Sequence, residues 1–284
     1  MDIPIRFLPT QTLAPETFLV RQIGGEGMGP EALMLNSMVI RGAEPVIVDT
    51  GVAVTRPEWL EQTFSLVDPA DVRWVYLSHD DTDHTGNLNE VMALCPNATL
   101  VTNWFTVERM LGDLEVTPDR MRILNPGDSL VTPDRVLTAL VPPVFDSPTT
   151  RGLHDSATGV YWGSDAFACG VPTPVDDIGE LPVGHFRESF LHLQRLISPW
   201  HQWLDPAKYA RLLDGVRSLR PTVAVGCHGP ALRGHQVESA FLLLEELPHL
   251  PACDLKGQVE LDALIEVLGA MPAPGEEPAT ATAA

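Results

Sequence analysis

The stretch 74-WVYLSHDDTDHTGN-87 joins an apolar run to a dense group of polar side chains. The run up to Ser78 has the composition of a buried strand. The residues His79–His84 that follow contain two imidazoles and three carboxylates, and both groups bind divalent metal ions. Because loops at strand ends present functional groups from a rigid sheet, this stretch predicts a metal site at the end of a strand.

Four other apolar runs also end at or near an acidic or imidazole residue. These residues are Asp49, Asp146, Asp165 and His228. One such ending is weak evidence, because Asp often begins a turn. Repeated endings of this kind, beside the HxDxDH segment, indicate that the strand ends meet around one site. The spacing of the segment lets it reach two adjacent metal ions, bridged by a carboxylate from elsewhere in the chain.

The pattern of strands and helices along the chain is β-rich, then alternating, and then repeats. Strands are predicted at 3–8, 18–23, 33–40, 45–49, 72–77, 98–102, 135–141, 149–154, 159–164 and 222–226, and helices at 56–67, 88–94, 104–111, 186–197, 206–219 and 236–247. Two similar halves would bury their sheets against each other, which predicts an α/β fold, a four-layer αββα sandwich. We expect one domain over residues 1–270 and a disordered tail over 271–284, where apolar residues are scarce.

Composition narrows the range of functions. The chain has 284 residues, 44% of them hydrophobic, which is enough for a buried core. It contains no long apolar run and no signal-peptide pattern at its first residues. Its four cysteines show no CxxC pairing, which is typical of reduced thiols in a cytoplasmic protein. A net charge of −20 disfavours nucleic acid and membranes as partners.

The motifs together resemble those of a known superfamily. VIVDTG, VYLS followed by HxDxDH, GSDAF and CHGP, in this order, resemble the metallo-β-lactamase superfamily over about residues 15–245. The superfamily pattern is HxHxDH, and its hydrolases usually bind zinc. Asp81 departs from this pattern and looks like the diiron branch, which carries HxExDH. That branch comprises the flavodiiron oxygen and nitric-oxide reductases and related oxygen-binding diiron proteins. The resemblance implies the metallo-β-lactamase fold.

A second departure concerns the segment before Asp165. The diiron branch places a His 19 positions before its bridging Asp, and here that position is Asp146. The nearest His, His154, lies 11 positions before Asp165 and inside a predicted strand. We therefore predict that Asp146 is a metal ligand and that His154 has a structural role.

The resemblance implies a set of ligands for two divalent metal ions. Metal 1 would take His79, Asp81, Asp146 and Asp165, and metal 2 would take Asp83, His84, Asp165 and His228, with Asp165 as the bridge. Asp165 and His84 are the candidate catalytic residues, and Asp49 is expected to orient a ligand. Oxygen-rich sites favour iron, with manganese or zinc as alternatives. The four carboxylates would repel one another strongly without cations.

Two functions are compatible with such a site. The first is a diiron protein that binds or reduces O2 or NO. Too few residues follow His228 for a flavodoxin-like domain, so we expect a separate electron-donor protein; a homodimer is also allowed. The second is a metal-dependent hydrolase that takes an ester, thioester or lactone as its small-molecule substrate. No basic residue is convincingly placed to position such a substrate, although Arg151 and Arg233 lie near the ligand loops.

Several other residues have chemical side chains but are expected to pack or to lie on the surface. Cys227 precedes a predicted ligand, where it could tune or coordinate the metal, but we favour a buried packing role because free thiols usually pack as small hydrophobes. His185 and His192, seven positions apart on a predicted helix, are assigned to the surface or to packing. His201 is assigned to a packed loop rather than to a substrate pocket. The glycine-rich segment 24–30 lacks the GK[ST] of a phosphate loop and is expected to be a mobile loop.

Overall fold

The computed structural model describes residues 3–182 and 184–270. Its strands are β1 (Ile5–Ala14), β2 (Thr17–Gly24), β3 (Leu33–Ile40), β4 (Val46–Val48), β5 (Trp74–Tyr76), β6 (Thr99–Thr102), β7 (Met121–Ile123), β8 (Ser129–Val131), β9 (Val136–Leu140), β10 (Gly152–Asp155), β11 (Val160–Trp162), β12 (Val223–Val225) and β13 (Leu232–Arg233). Its α-helices are α1 (Arg56–Phe64), α2 (Thr82–Thr85), α3 (Leu88–Leu94), α4 (Trp104–Arg109), α5 (His185–Ile197), α6 (Pro206–Arg217), α7 (His235–Glu246) and α8 (Gln258–Ala270). Short 3-10 helices lie at Ala53–Thr55, Pro118–Arg120, Ile178–Glu180, Pro199–Trp203 and Leu247–His249.

The strands form two sheets. The first has seven strands in sequence order from β1 to β7, antiparallel through β4 and parallel from β4 to β7. The second has six strands in the order β13-β12-β11-β10-β9-β8, in which only β11 and β12 are parallel. Parallel neighbours put their carboxyl ends at the same edge of a sheet. The strand ends that carry the predicted site residues therefore meet where the two sheets face each other.

Alternation along each strand divides its side chains between an inner and an outer core. In β4, Val46 and Val48 belong to the core between the sheets, whereas Ile47 faces the helices outside. In β11, Trp162 faces inward and Tyr161 packs in the outer core beside helices α5, α6 and α7. On the first sheet, α1 and α3 supply the outer helical layer. The order of layers is thus helix, sheet, sheet, helix.

Tight backbone packing brings the ligand loops of the second sheet together. A Cβ atom at Gly226 would collide with the carbonyl oxygens of Ser164 and Ala166, so only glycine fits there. Ser164 and Asp49 both have a φ of 58°, an uncommon conformation for residues other than glycine. Such strain is found where the surrounding structure requires it, often at functional sites. Asp49 lies directly after β4 and Ser164 lies two residues after the end of β11, and both strands lead to the site.

The structure changes several predicted boundaries. The predicted strand 149–154 begins only at Gly152, and residues 149–151 belong to the loop before it. Strands β7, β8 and β13 and helices α2 and α8 were not predicted. The single domain over 1–270 stays a prediction, and the predicted tail, 271–284, lies outside the described residues. Among the helices that the structure describes, none is long and apolar enough to cross a membrane.

Candidate metal centre

All seven predicted ligands come together at one end of the facing sheets. β5 leads to His79, Asp81 and helix α2. In the second sheet, β9 leads to Asp146, β11 to Asp165 and β12 to His228. Donor atoms of the seven residues form three overlapping groups, each with atoms within 4.8 Å of one another. The groups contain His79, Asp81, Asp83, His84, Asp146, Asp165 and His228, together with Cys227.

One part of the cluster, here called the carboxylate half, consists of His79, Asp81 and Asp146. His79 Nε2 lies 3.7 Å from Asp81 Oδ2 and 3.8 Å from Asp146 Oδ2. Donor atoms bound to one ion about 2.1 Å away lie roughly 3.0–3.5 Å apart in octahedral or tetrahedral geometry. The three atoms therefore surround a space that is slightly wider than a metal ion requires.

The other part, here called the imidazole half, consists of Asp83, His84 and His228. Asp83 Oδ2 lies 3.2 Å from His228 Nε2 and 3.6 Å from His84 Nε2. Asp83 and His84 point here because helix α2 begins at Thr82 and turns them away from Asp81. The HxDxDH segment thus divides between the two halves at the start of this helix.

Asp165 lies between the two halves. Its Oδ2 is 3.5 Å from His79 Nε2 in the carboxylate half. Its Oδ1 is 3.0 Å from His84 Nε2 and 3.3 Å from His228 Nε2 in the imidazole half. One carboxylate that faces a different group of donors with each oxygen has the geometry of a bridging ligand.

Asp49 fixes the orientation of His84. The Asp49 carboxylate is fully buried and accepts hydrogen bonds from His84 Nδ1 at 2.9 Å, from the backbone and hydroxyl of Ser78, and from Trp162 Nε1. Since a carboxylate can only accept, we assign the proton of His84 to Nδ1, which directs Nε2 into the site. This arrangement is typical of the residues that support metal-binding histidines.

The same carboxylate reaches His79 through two hydroxyl groups. Ser78 Oγ donates to Asp49 Oδ2 at 2.7 Å, so it must accept from Ser164 Oγ, also at 2.7 Å. Ser164 Oγ then has only its lone pairs free for His79 Nδ1, at 3.0 Å. His79 Nδ1 therefore carries a proton and Nε2 points into the site. His228 Nδ1 lies 3.1 Å from the carbonyl oxygen of Met34, with the same consequence.

The atoms that point into the cluster lack other partners. His79 Nε2, His84 Nε2 and Asp165 Oδ1 are buried and make no hydrogen bond within residues 3–182 and 184–270. Buried polar atoms without partners are rare and costly in folded proteins. Because these atoms are also of the types that bind metals, the side chains present fit two divalent ions.

Electrostatics differ among the carboxylates of the cluster. Burial raises the pKa of Asp146, and the negative charge of Asp165 adds to this effect. Burial alone would raise the pKa of Asp165 as well, but the imidazoles of His228 and His84 hold it well below its usual range. Asp165 is thus ionised over a wide range of pH, as a bridging ligand must be.

Residues assigned to packing or to the surface lie outside the cluster, although the buried Nε2 of His154 also lacks a hydrogen-bond partner among the described residues. His154 lies in β10 and belongs to none of the three donor groups. His201 is fully buried, and its two nitrogens lie at hydrogen-bonding distance from the carbonyl oxygens of Ser198 and Leu250. His185 Nε2 contacts the carbonyl oxygen of Gly170, and His192 is exposed.

Cys227 is placed less simply. It belongs to the core between the sheets, yet its Sγ lies 3.9 Å from Asp83 Oδ2 at the edge of the imidazole half. None of the four cysteines forms a disulfide. The packing role predicted for Cys227 agrees with its burial, and its contact with Asp83 leaves the alternative role, tuning or coordinating the metal, open.

Asp49 was expected to orient a ligand, but sequence reasoning missed the other residues that support the site. Ser78 and Ser164 link the histidines to Asp49, and Arg109 pairs with Asp80 at the rim. Arg151 and Arg233, the basic residues expected near the ligand loops, donate hydrogen bonds to the backbone carbonyl oxygens of Thr150 and Leu13. Arg109 could have been found from topology: α4 follows β6, and β6 is the parallel neighbour of the strand that leads to His79.

Comparison with known proteins identifies the family. The sequence profile described as "ODP family beta lactamase" matches residues 34–229, which include all seven residues of the site. The chain belongs to the ODP family of beta-lactamase proteins. This membership confirms the resemblance drawn from the sequence motifs.

The relatives of this ODP-family chain are larger proteins. It is 29% identical over 205 residues to the putative diflavin flavoprotein A 1 of Thermosynechococcus vestitus, covering 70% of this chain and 34% of the relative. It is 25% identical over 175 residues to the anaerobic nitric oxide reductase flavorubredoxin of Salmonella arizonae, covering 60% of this chain and 36% of the relative. The chain thus spans about a third of the length of these curated relatives.

Solved structures confirm the metallo-β-lactamase fold. The flavodiiron protein of Giardia intestinalis aligns with a TM-score of 0.73 and 18% identity, over 86% of this chain and 60% of the other. The rubredoxin oxygen:oxidoreductase of Desulfovibrio gigas also aligns with a TM-score of 0.73 and 18% identity, over 84% and 61%. At this identity the likeness establishes the αββα architecture.

Proposed function

We propose that this chain is a diiron protein that binds or reduces O2 or NO. The observation that carries the proposal is the position of Asp165, which faces the carboxylate half with one oxygen and the imidazole half with the other. Membership of the ODP family supports it. So do relatives named as a nitric oxide reductase and as an oxygen:oxidoreductase.

Iron is the metal that the donor set favours. Asp81, Asp83, Asp146 and Asp165 contribute oxygen donors, and oxygen-rich sites prefer iron or manganese to zinc. Their negative charge is what two divalent cations would balance. Two ferrous ions would supply the electrons and the open coordination positions that reaction with a diatomic gas requires.

The side chains have separate tasks in this proposal. Asp165 would be shared by the two ions, and Asp49 holds His84 so that its Nε2 would be available to the ion of the imidazole half. Asp81 is half-exposed, so the carboxylate half is the side from which a gas molecule enters. Further electrons would come from a separate donor protein. A homodimer and a cytoplasmic location stay predictions.

The proposal is tested on protein purified without oxygen and loaded with ferrous iron. We expect two iron ions per chain by elemental analysis and a change in the visible or near-ultraviolet spectrum when O2 or NO is added. The zinc-loaded protein is the matched control, because zinc has no redox chemistry. It should show no such change.

The variant Asp81→His sharpens this test. It restores the imidazole that zinc hydrolases of this superfamily carry, so it should weaken the response to both gases and shift metal preference toward zinc. If the iron-loaded protein ignores both gases, while its zinc or manganese form cleaves a thioester or lactone with ordinary turnover, the hydrolase function replaces our proposal.

A further inference from the structure

Asp80 lies between two residues of the carboxylate half, His79 and Asp81, but its side chain points away from them. The carboxylate is nearly buried and accepts a hydrogen bond from Thr149 Oγ1 at 2.6 Å through its Oδ1. Its Oδ2 accepts from Arg109 Nε on helix α4. Asp80 therefore joins the loop of the HxDxDH segment to the loop that carries Asp146.

The loop that carries Asp146 depends on such contacts because it has no regular secondary structure. Thr150 Oγ1 donates to Asp146 Oδ1 at 3.1 Å, which sets the direction of the side chain. Asn103 Nδ2 donates to the carbonyl oxygen of Thr149 at 2.7 Å. On the other side of Asp146, the backbone N–H of Phe145 donates to Ser198 Oγ. The loop is therefore anchored to neighbouring elements at both Phe145 and Thr149.

The direction of the Thr149 hydrogen bond follows from counting protons. Thr149 Oγ1 also lies 2.7 Å from Ser147 Oγ, and it has one proton to donate. Asp80 pairs with the guanidinium of Arg109 through its Oδ2, and a carboxylate in such a pair can only accept hydrogen bonds. Thr149 therefore donates to Asp80 and accepts from Ser147.

A short ligand makes the position of this loop important. An aspartate side chain is shorter than that of histidine, so its reach depends directly on where its backbone lies. Asp146 Oδ2 is 3.8 Å from His79 Nε2, the widest of the measured gaps between His79 and the carboxylates around it. A small outward shift of the loop would remove Asp146 from the cluster.

We propose that Asp80, held by Arg109 and bonded to Thr149, is a positioning residue that keeps Asp146 within reach of a metal ion in the carboxylate half. The inference rests on the two-metal site of the proposed function. It assigns a role to Asp80, the carboxylate of the segment His79–His84 that belongs to neither half. It also predicts that the effect of Asp80 is confined to one ion.

The test measures the affinities of the two ions separately in Asp80 and Thr149 variants. Cobalt(II) is titrated into the metal-free full chain in the presence of a chelating indicator. Asp80→Ala should weaken the ion of the carboxylate half by about 10–100-fold, the usual effect of losing a supporting residue. Asp80→Asn should weaken it less, because its amide oxygen still accepts from Thr149. The ion of the imidazole half should keep its affinity within about threefold, far less than that effect.

A matched pair at Thr149 isolates the hydrogen bond. Thr149→Val removes the hydroxyl at nearly constant volume and should reproduce the effect of Asp80→Ala. Thr149→Ser keeps the hydroxyl and should retain most of the affinity. Arg109→Gln should have a smaller effect that shrinks in high salt, since Arg109 is half-exposed.

The absorption spectrum of the remaining cobalt shows which ion was affected. With one equivalent of cobalt, Asp80→Ala should give the bands of Asp146→Ala and not those of Asp83→Ala. Arg187→Gln, which breaks the exposed pair between Arg187 and Glu246 on helices α5 and α7, is the control and should match the wild type. Thermal unfolding of each metal-free variant checks that the fold is kept.

Loss of affinity for both ions alike, or for neither, overturns the inference. This failure differs from failure of the proposed function. A wild type that binds two ions but ignores O2 and NO would refute the proposed function and leave the role of Asp80 intact. Wild-type behaviour of the Asp80 and Thr149→Val variants would refute only the role of Asp80.

Discussion

The two halves of the site differ in their donor atoms and in their access to solvent. In the carboxylate half, the side chains of Asp81 and Asp146 are 49% and 26% exposed. In the imidazole half, those of Asp83 and His228 are 24% and 16% exposed, and His84 is fully buried. One half is therefore oxygen-rich and open, and the other is nitrogen-rich and enclosed.

The difference indicates a division of labour between the halves. Enclosed imidazoles held by Asp49 and by the carbonyl oxygen of Met34 have few alternative orientations, which favours tight binding. Open carboxylates adapt more easily and leave room for an external molecule. We infer that the imidazole half holds its ion more tightly and that the carboxylate half is where the substrate gas arrives.

The variant expected to have the largest effect removes the residue that both halves share. Asp165→Ala should lose both ions, since each half would lack its bridging oxygen and the two cations would repel each other without the carboxylate between them. Elemental analysis after anaerobic loading with iron checks this result. Asp214→Ala on α6 changes an exposed aspartate and is the control. Retention of one ion at wild-type affinity would show that Asp165 belongs to one half alone.

Removal of a ligand from one half should cost one ion. Asp146→Ala should retain only the ion of the imidazole half, because it removes a donor that only the carboxylate half uses. His154→Ala should keep both ions, as His154 lies outside the donor groups. Metal analysis of the two variants decides between them. The opposite outcome would mean that His154 takes the role that we assign to Asp146.

The sequence was sufficient to predict the fold because its signals are local. Alternating apolar residues and turn residues marked most strands and helices to within a few positions. β7 and β8 escaped because they are short and mostly not buried, whereas the equally short β4, β11 and β12 are apolar and buried throughout. α8 escaped because its apolar residues follow the last motif and pack in no core cluster.

The site was predictable to the extent that its ligands end strands. His79, Asp165 and His228 follow apolar runs that are evident in the sequence. The supporting residues could not be predicted in this way, because Ser78, Ser164 and Asp80 meet their partners only after the sheets pack face to face. Their contacts join segments tens of residues apart, and no spacing rule within one segment reports such pairs.

Loss of a supporting residue should affect the halves unequally. The Asp49 carboxylate accepts from Ser78 N–H at one oxygen and from His84 at the other, and the amide in Asp49→Asn can accept at only one of these positions. Its NH2 group must face one set of donors, which weakens the hold on His84. We expect the ion of the imidazole half to bind about 10–100-fold more weakly. The carboxylate half should change less, because Asp49 reaches His79 only through two hydroxyls. Chelator competition measures both affinities, with Asp214→Asn as the control.

Equal weakening of the two ions in Asp49→Asn would contradict this comparison. It would mean that the hydroxyl chain from Asp49 through Ser78 and Ser164 transmits the change fully to His79. In that case Ser164→Ala should weaken the carboxylate half as much as Asp49→Asn does.

The smallest expected effect is a difference between the halves in their response to pH. Burial opposes the charged form of His84 and of His228, but Cys227 and then the carboxylates around them outweigh burial and raise the pKa of both imidazoles well above the ordinary value. In the metal-free chain both therefore carry an extra proton at neutral pH, and an ion must displace these protons to bind.

As the pH falls, the competition between protons and the metal ion strengthens, and each displaced proton costs about tenfold in affinity per pH unit. The carboxylate half has a single imidazole. Between about pH 7 and 6, the affinity of the imidazole half should therefore fall more steeply with decreasing pH, as cobalt titrations at several pH values would measure. Parallel slopes for the two ions would show that proton competition does not distinguish the halves, and that exposure and donor type alone separate them.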